Sequence, residues 1–367
     1  MRGSVRILTG LLVLGASGAF ASVADTSAGP MRIEAMAEGL EEPWAIGFLP
    51  DGAFLVTERD GLLKLFAAPG AVPIQVSGLP EVYAEGQGGL LDIMVPRDFA
   101  RTREIWLSYS QPQGRGAGTA LGKGVLSADG TRLEGFTAVF VSPEGGSGGR
   151  HFGSRVVEAA DGTIFLAVGD RGTGPDRLEA QDPMRAEGKI IHLDRDGSPA
   201  TVLPDALPGV YSLGHRNPQG MASDPQGGLW VVEHGAQGGD ELNRIEAGRN
   251  YGWPVISYGE EYGGGKIGEG QAKPGLEQPV LYWDPSIAPS GLVFHSGALV
   301  PEWAGDAFTG SLKFDFISRL DPDDGFAEER ISTPETGRVR DVVEAPDGSI
   351  WFLSVYDGAA YRMAPAQ

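Results

Sequence analysis

Four segments decide the fold: LPDGAFLVTERDGLLKLF (49–66), AADGTIFLAVGDRG (159–172), SDPQGGLWVVEHG (223–235) and APDGSIWFLSVYDG (345–358). Each opens on a turn of Asp and Gly, often with Pro. Each continues as a short apolar run rich in β-formers and ends in a polar loop. Weaker copies stand at VPRDFARTREIWLSYS (95–110) and SGALVPEWAGDAFTGSLKFDF (296–316). The six copies between Asp51 and Asp347 recur about every 59 residues. A four-stranded propeller blade takes about 40–50 residues, so the excess predicts long inserted loops. The longest holds NYGWPVISYGEEYGGGKIGEG (250–270), and loops of that length in a compact domain are usually functional. The pattern predicts an all-β protein, a six-bladed β-propeller, ahead of an array of two β-sandwich domains. MRIEAMAE (31–38) is expected to complete the last blade and close the ring.

Composition agrees. Gly (57) and Pro (26) make up about 23% of 367 residues, near twice their usual share. Yet 41% of residues are hydrophobic, more than a disordered chain carries. A helical bundle is thereby excluded. The net charge of −20 and the lack of basic clusters argue against a nucleic-acid partner. Cys is absent, which excludes disulfides, thiol nucleophiles, thiolate zinc sites, Fe–S clusters and covalent haem. Redox chemistry would need a cofactor held without a covalent bond.

The start, MRGSVRILTGLLVLGASGAFA, has Arg2 and Arg6, an apolar run Ile7 to Leu14 and a small-x-small site at Ala19-Phe20-Ala21. That is the order of a signal peptide, and the run is too short to span a bilayer. We expect residues 1–21 to be removed on export, leaving one propeller domain over 22–367 in the periplasm or outside the cell, without membrane insertion.

The five histidines, His151, His192, His215, His234 and His295, show no metalloprotease spacing. There is no G-x-S-x-G, no P-loop and no dinucleotide fingerprint. Three groups stand out. His151 sits in GGRHFGSR (148–155), and Asp170, after the strand TIFLAV, is placed to orient its imidazole; the alternatives are a structural or merely exposed histidine and an Asp-x-Gly turn residue. LGHRNPQG (213–220) presents Arg216 and Asn217 on a rigid loop, and VEHGAQGGDELN (232–243) offers Asp240, Glu241 and free carbonyls as hard oxygen donors suited to Ca²⁺. In RVR (338–340), strand alternation sets Arg338 and Arg340 on one face, with Lys313 upstream. Such a cluster suits a polycarboxylate; a solvated strand face is the alternative.

Taken in order, LEEPWAIGFLPDG, EGQGGLLDI, HFGSR, QDPMRAEGKIIHLDRDG, LGHRNPQG, VEHGAQGGDELN, NYGWP and GRVRDVVEAPDG resemble the soluble PQQ-dependent glucose/sorbosone dehydrogenase family, most closely its periplasmic aldose sugar dehydrogenase branch. The resemblance spans nearly all of the chain after residue 21. It implies a propeller with PQQ at the mouth of the central channel and His151 as general base. It implies Arg216 and Asn217 at the quinone, Gln87 and Tyr262 against the cofactor, and Ser311, Lys313, Arg338 and Arg340 on its carboxylates. It further implies Ca²⁺ on the carbonyls of Gly235 and Ala236, and another Ca²⁺ at Glu241 and Tyr251. Several relatives carry Pro where this chain has Ala236, and the glucose-dehydrogenase branch carries Gln where it has His234. Implied partners are an aldose substrate and an unidentified electron acceptor, with a monomer expected. The competing functions are a calcium-dependent lactonase-type hydrolase and a non-catalytic binding propeller.

Overall fold

A computed structural model describes residues 22–143, 146, 148–172 and 177–366; the signal peptide read at 1–21 lies outside them. The chain forms six sheets. Blade 1 is Pro43–Phe48, Phe54–Glu58, Leu62–Phe66 and Ile74–Gln75. Blade 2 is Leu90–Met94, Glu104–Gln113, Gly116–Leu126 and Leu133–Val141. Blade 3 is Val156–Glu158, Ile164–Val168, Lys189–Leu193 and Val210–Leu213. Blade 4 is Pro218–Ser223, Leu229–Glu233, Asp240–Ile245 and Leu281–Trp283. Blade 5 is Pro289–Phe294, Ala307–Ser311, Ile317–Asp321 and Ala327–Ile331.

Blade 6 takes Val339–Glu344, Ile350–Ser354 and Ala359–Pro365 from the C-terminal end and Gly29–Ala37 from the N-terminal end. Met31 pairs with Pro365 and Ile33 with Met363, antiparallel. The expected closure therefore holds, and Ser22–Thr26 adds a fifth strand outside it. The first strands of successive blades pack against one another in a closed ring, so the structure is the predicted six-bladed β-propeller. Among the described residues the only α-helix is the single turn Phe99–Thr102.

Local chemistry explains the repeat. In LPDG, Gly52 adopts φ 87° and the Asp51 carboxylate accepts from Ala53 N–H at 3.2 Å. APDG repeats this, with Gly348 at φ 79° and Asp347 accepting from Ser349 N–H at 3.0 Å. Aspartate closes the turn and glycine supplies the left-handed residue, so the motif joins the first two strands of a blade. The second strands, FLVTE, IFLAV, LWVVE and IWFLS, are buried at every position. Covered by blades on both sides, they read as continuous apolar runs, without alternation.

Two sets of loops therefore meet at one end of the ring: those entering first strands and those leaving second strands. Below them a charged clamp joins three first strands. Arg155 Nη1 lies 2.9 Å from both Asp92 Oδ1 and Asp341 Oδ1. The other carboxylate oxygens accept from Val156 N–H at 2.7 Å and Ile46 N–H at 3.0 Å.

Candidate active site

The two loop sets enclose an open cavity of about 1390 Å³. Entry loops contribute Glu42, Gln87, Asn217 and Arg338, and exit loops contribute Arg59, His234, Lys313 and Tyr356. A rule of position thus explains the lining: the same two corners of each blade face the same mouth.

His151 precedes the first strand of blade 3 and Asp170 follows its second strand, so antiparallel pairing returns both to this end. His151 Nδ1 stands 2.6 Å from Asp170 Oδ1, with 12% and 0% of the two side chains exposed. A carboxylate only accepts, so in the neutral ring Nδ1 carries the hydrogen and Nε2 the lone pair. His151 itself is in the left-handed region at φ 53°. Its N–H donates to Gln87 Oε1 at 2.7 Å. A side chain at Gly169 would put its Cβ 2.2 Å from the His151 carbonyl oxygen. Glycine there is what lets the histidine loop lie on the blade. Burial lowers the His151 pKa from its ordinary value; Asp170 opposes this, and Arg216 and Arg150 add to it. Asp170 is buried too, yet its bond to His151 and the facing cations hold it below the usual carboxylate value. Gln87, Phe152 and Gly153 line the cavity, whereas His151 and Asp170 stand just behind that lining, next to Phe152 and joined to it through the His151 N–H on Gln87.

Arg216 is buried, and its guanidinium donates to the carbonyls of His234, at 3.1 Å, and Gly235. Its Nε is buried without a partner. Asn217 Oδ1 accepts from Gly153 N–H at 3.2 Å, tying blades 3 and 4 together. His234 Nε2 donates to the Pro289 carbonyl at 2.9 Å, and burial pushes its pKa down to about 3, so the ring is neutral.

Lys313, Arg338 and Arg340 all line the cavity, and none has a carboxylate partner among the described residues. Simple alternation is not what brings the arginines together. The strand begins at Val339, Arg338 precedes it at φ 48°, and the register slips between Val339 and Asp341, so Arg340 sits in a bulge. Arg338 N–H is held by Asp315 Oδ1 at 2.8 Å. Burial and the nearby Arg338, Arg59 and Arg155 charges push the Arg340 pKa down to about 9. Glu42 offsets this in part, Arg340 Nη1 donates to Gln219 Oε1 and Arg338 Nη1 to the Leu312 carbonyl, each at 3.0 Å, and like charges gathered this way suit an anion among them. Ser311 is placed differently from the cofactor-contact reading. It is fully buried, donates to the Ile287 carbonyl at 2.8 Å and accepts from Phe314 N–H at 2.9 Å, which shapes the Lys313 loop. Tyr262 is on the rim, 69% exposed.

The oxygen-donor loop also differs in detail. Asp240 begins a strand and is fully occupied: its carboxylate takes Gly235 N–H at 2.8 Å, Ala288 N–H at 2.7 Å and the Ser286 hydroxyl. It shapes the 235–239 turn, and that leaves the turn's carbonyls as the donors, Gly235 and Ala236 among the cavity lining. Glu241 and Tyr251 meet at a smaller side cavity that Glu233 and Arg216 also line. Burial beside Glu233 pushes the Glu241 pKa up to about 8. The Tyr251 hydroxyl is engaged, donating to the Arg244 carbonyl at 2.6 Å and accepting from Glu246 N–H at 2.9 Å. Only its backbone carbonyl remains to meet a cation. No cluster of three or more acidic or histidine ligands occurs among the described residues.

Arg59 and Tyr356 escaped the reading of motifs, though both follow a repeat copy, in TERDG and SVYDG, at the corner where Asp170 and His234 stand. Trp253, inside NYGWP, donates its indole N–H to Asp170 Oδ2 at 2.8 Å.

Comparison with known proteins agrees with the fold. Residues 40–362 match the family described as Glucose / Sorbosone dehydrogenase. The aldose sugar dehydrogenase YliI of Escherichia coli (strain K12) is 40% identical over 340 residues, covering 88% of this chain and 90% of that protein. The crystal structure of the soluble Escherichia coli aldose sugar dehydrogenase in its apo form superposes with a TM-score of 0.86 at 38% identity, over 92% of this chain and 100% of that one. The PQQ-bound aldose sugar dehydrogenase of Streptomyces coelicolor gives 0.75 at 26% identity, over 91% and 97%. With its six blades, its cationic mouth and a match running almost from end to end, the chain belongs to the glucose/sorbosone dehydrogenase family.

Proposed function

We infer that this oxidoreductase takes aldose sugars and oxidises them at the anomeric carbon to aldonolactones, using PQQ with Ca²⁺. The observation that carries this is the His151–Asp170 pair set beside a cavity where Lys313, Arg338 and Arg340, three of its four lining cations, lack carboxylate partners among the described residues, the fourth, Arg59, being paired with Glu42. PQQ is a tricarboxylate, and these cations fit it. The names of the Escherichia coli and Streptomyces coelicolor relatives support the same reading.

When bound, PQQ supplies the electrophilic quinone that takes up the hydride, which no side chain of this Cys-free protein replaces. The chain's own work is positional and electrostatic. Lys313, Arg338 and Arg340 hold carboxylates by charge-assisted bonds. Arg216, its Nη1 held on the Gly235 carbonyl, sets a guanidinium charge beside that loop, where it would stabilise negative charge arriving on the quinone. The Gly235 and Ala236 carbonyls fit a hard cation, since a carbonyl with two lone pairs serves both Arg216 and a metal. His151 Nε2 accepts the proton of the anomeric hydroxyl while Asp170 stabilises the imidazolium that results. Domain and compartment follow the sequence reading: a signal peptide at 1–21, one domain thereafter, and a periplasmic or secreted monomer that passes electrons to an acceptor still to be identified. N-terminal sequencing of the protein from a periplasmic fraction tests the cleavage after Ala21.

The deciding experiment adds PQQ and Ca²⁺, singly and together, to metal-stripped protein and follows dye reduction with several aldoses. Activity is expected only with both, and NAD⁺ is expected not to replace PQQ. Lactone hydrolysis without PQQ would favour the hydrolase reading instead.

A further inference from the structure

Asp170 receives more hydrogen bonds than the imidazole pair needs. Oδ1 takes His151 Nδ1 at 2.6 Å and Gly172 N–H at 2.7 Å, while Oδ2 takes the indole N–H of Trp253 at 2.8 Å. Both Asp170 and Trp253 are buried, and they lie 83 residues apart in sequence. Trp253 belongs to the long insert of blade 4, which is anchored around it. Its N–H donates to the Gly214 carbonyl at 2.9 Å and its carbonyl accepts from Gln181 Nε2 at 2.7 Å. Gln181 and Asn250 exchange a pair of amide hydrogen bonds at 3.0 and 2.8 Å. The indole lies between Arg177 and Arg216, with guanidinium carbons 5.3 and 5.2 Å from its ring, and packs with Ala180 and Ala236. Phenylalanine would fill much of this space. The indole's N–H is a donor with no acceptor role, and its target is the one Asp170 oxygen that His151 does not use.

We propose that Trp253 is a positioning residue whose indole N–H locks the Asp170 carboxylate and so fixes the tautomer and orientation of His151. The consequence for turnover rests on His151 being the proton acceptor; the hydrogen-bond chain itself does not. The charged and titratable groups facing this chain are Arg150, Arg216 and His234 around His151, and Arg216 and Arg171 around Asp170. None of them donates to Oδ2, so removing the indole donor leaves that oxygen without its bond. A carboxylate with one donor fewer is more basic and stabilises the imidazolium more strongly.

The first test uses the unaltered protein without cofactor. The NMR signal of the Trp253 indole proton should move with pH at the same midpoint as the His151 ring, because Asp170 takes a bond from both. A resonance that stays flat through the His151 titration overturns the proposal. The second test is Trp253→Phe. A full charge-assisted bond is worth about one to two pH units, and passed on in part through Asp170 it should raise the His151 midpoint by about 0.5 unit. The looser base should lower kcat about tenfold at pH 7 with KM little changed. An unmoved midpoint and unmoved kcat in the folded variant would mean that the indole only packs. If His151→Ala keeps its turnover, the assignment of the base fails while the two resonance measurements still judge the lock.

Discussion

His151 works as a base only while neutral, and burial has moved its pKa below the ordinary histidine value of 6.5. Turnover should therefore fall with acid at a pH below that value, and stay flat from there through neutrality, read as kcat/KM against pH. His151→Ala should cut kcat at least about a hundredfold while PQQ titration changes little, since the cationic cluster is on other blades. Arg340→Ala should do the reverse. Losing one charge-assisted contact of roughly 1.5–3 kcal/mol weakens PQQ affinity about ten- to a hundredfold, measured by titration, and leaves kcat at saturation close to unchanged. At this scale the sequence was readable where chemistry is local. His151 and Asp170 flank one short strand pair, so proximity follows from the hairpin. Trp253 and Asp240 were not readable in their roles, because their partners are fixed by the meeting of blades and by a loop fold that no short spacing encodes.

Among the elements, the first strands carry the strongest constraint. Arg155 holds Asp92 and Asp341 from two other blades, and all three are buried. Arg155→Leu would leave two carboxylates facing each other, so a loss of about 3–5 kcal/mol is expected in denaturant unfolding. Burial raises Asp92 from 3.8 to about 7. The folded state then holds a proton that the unfolded state releases, so this contribution is complete at low pH and is lost as pH rises through that window. Asp92→Asn, which keeps an oxygen for Val156 N–H, should flatten the dependence of Tm on pH between about 4 and 7. Elements with a turn signature, such as LPDG and APDG, could be placed from sequence because Asp and Gly fulfil their geometry on the spot. The strand at RVR could not, since the bulge at Arg340 is a property of its pairing with Ile350–Ser354.

The whole molecule is held as a ring by one seam, where Gly29–Ala37 pairs with Ala359–Pro365. Met31 and Ile33, each 1% exposed, fill the core of that blade. A chain starting at Leu40 should lose its cooperative thermal transition in circular dichroism and bind a hydrophobic dye, because an inner strand edge and part of the core become open. The same seam sets a clock on synthesis. Gly29–Ala37, with Ser22–Thr26 covering one of its edges, leaves the ribosome well before its other partner, which ends only at Pro365. At about 5–20 residues per second, the open edge waits roughly 15–70 s for its mate. For that interval this hairpin is a sticky end, and whatever shields it during the wait governs how much chain ever becomes a ring.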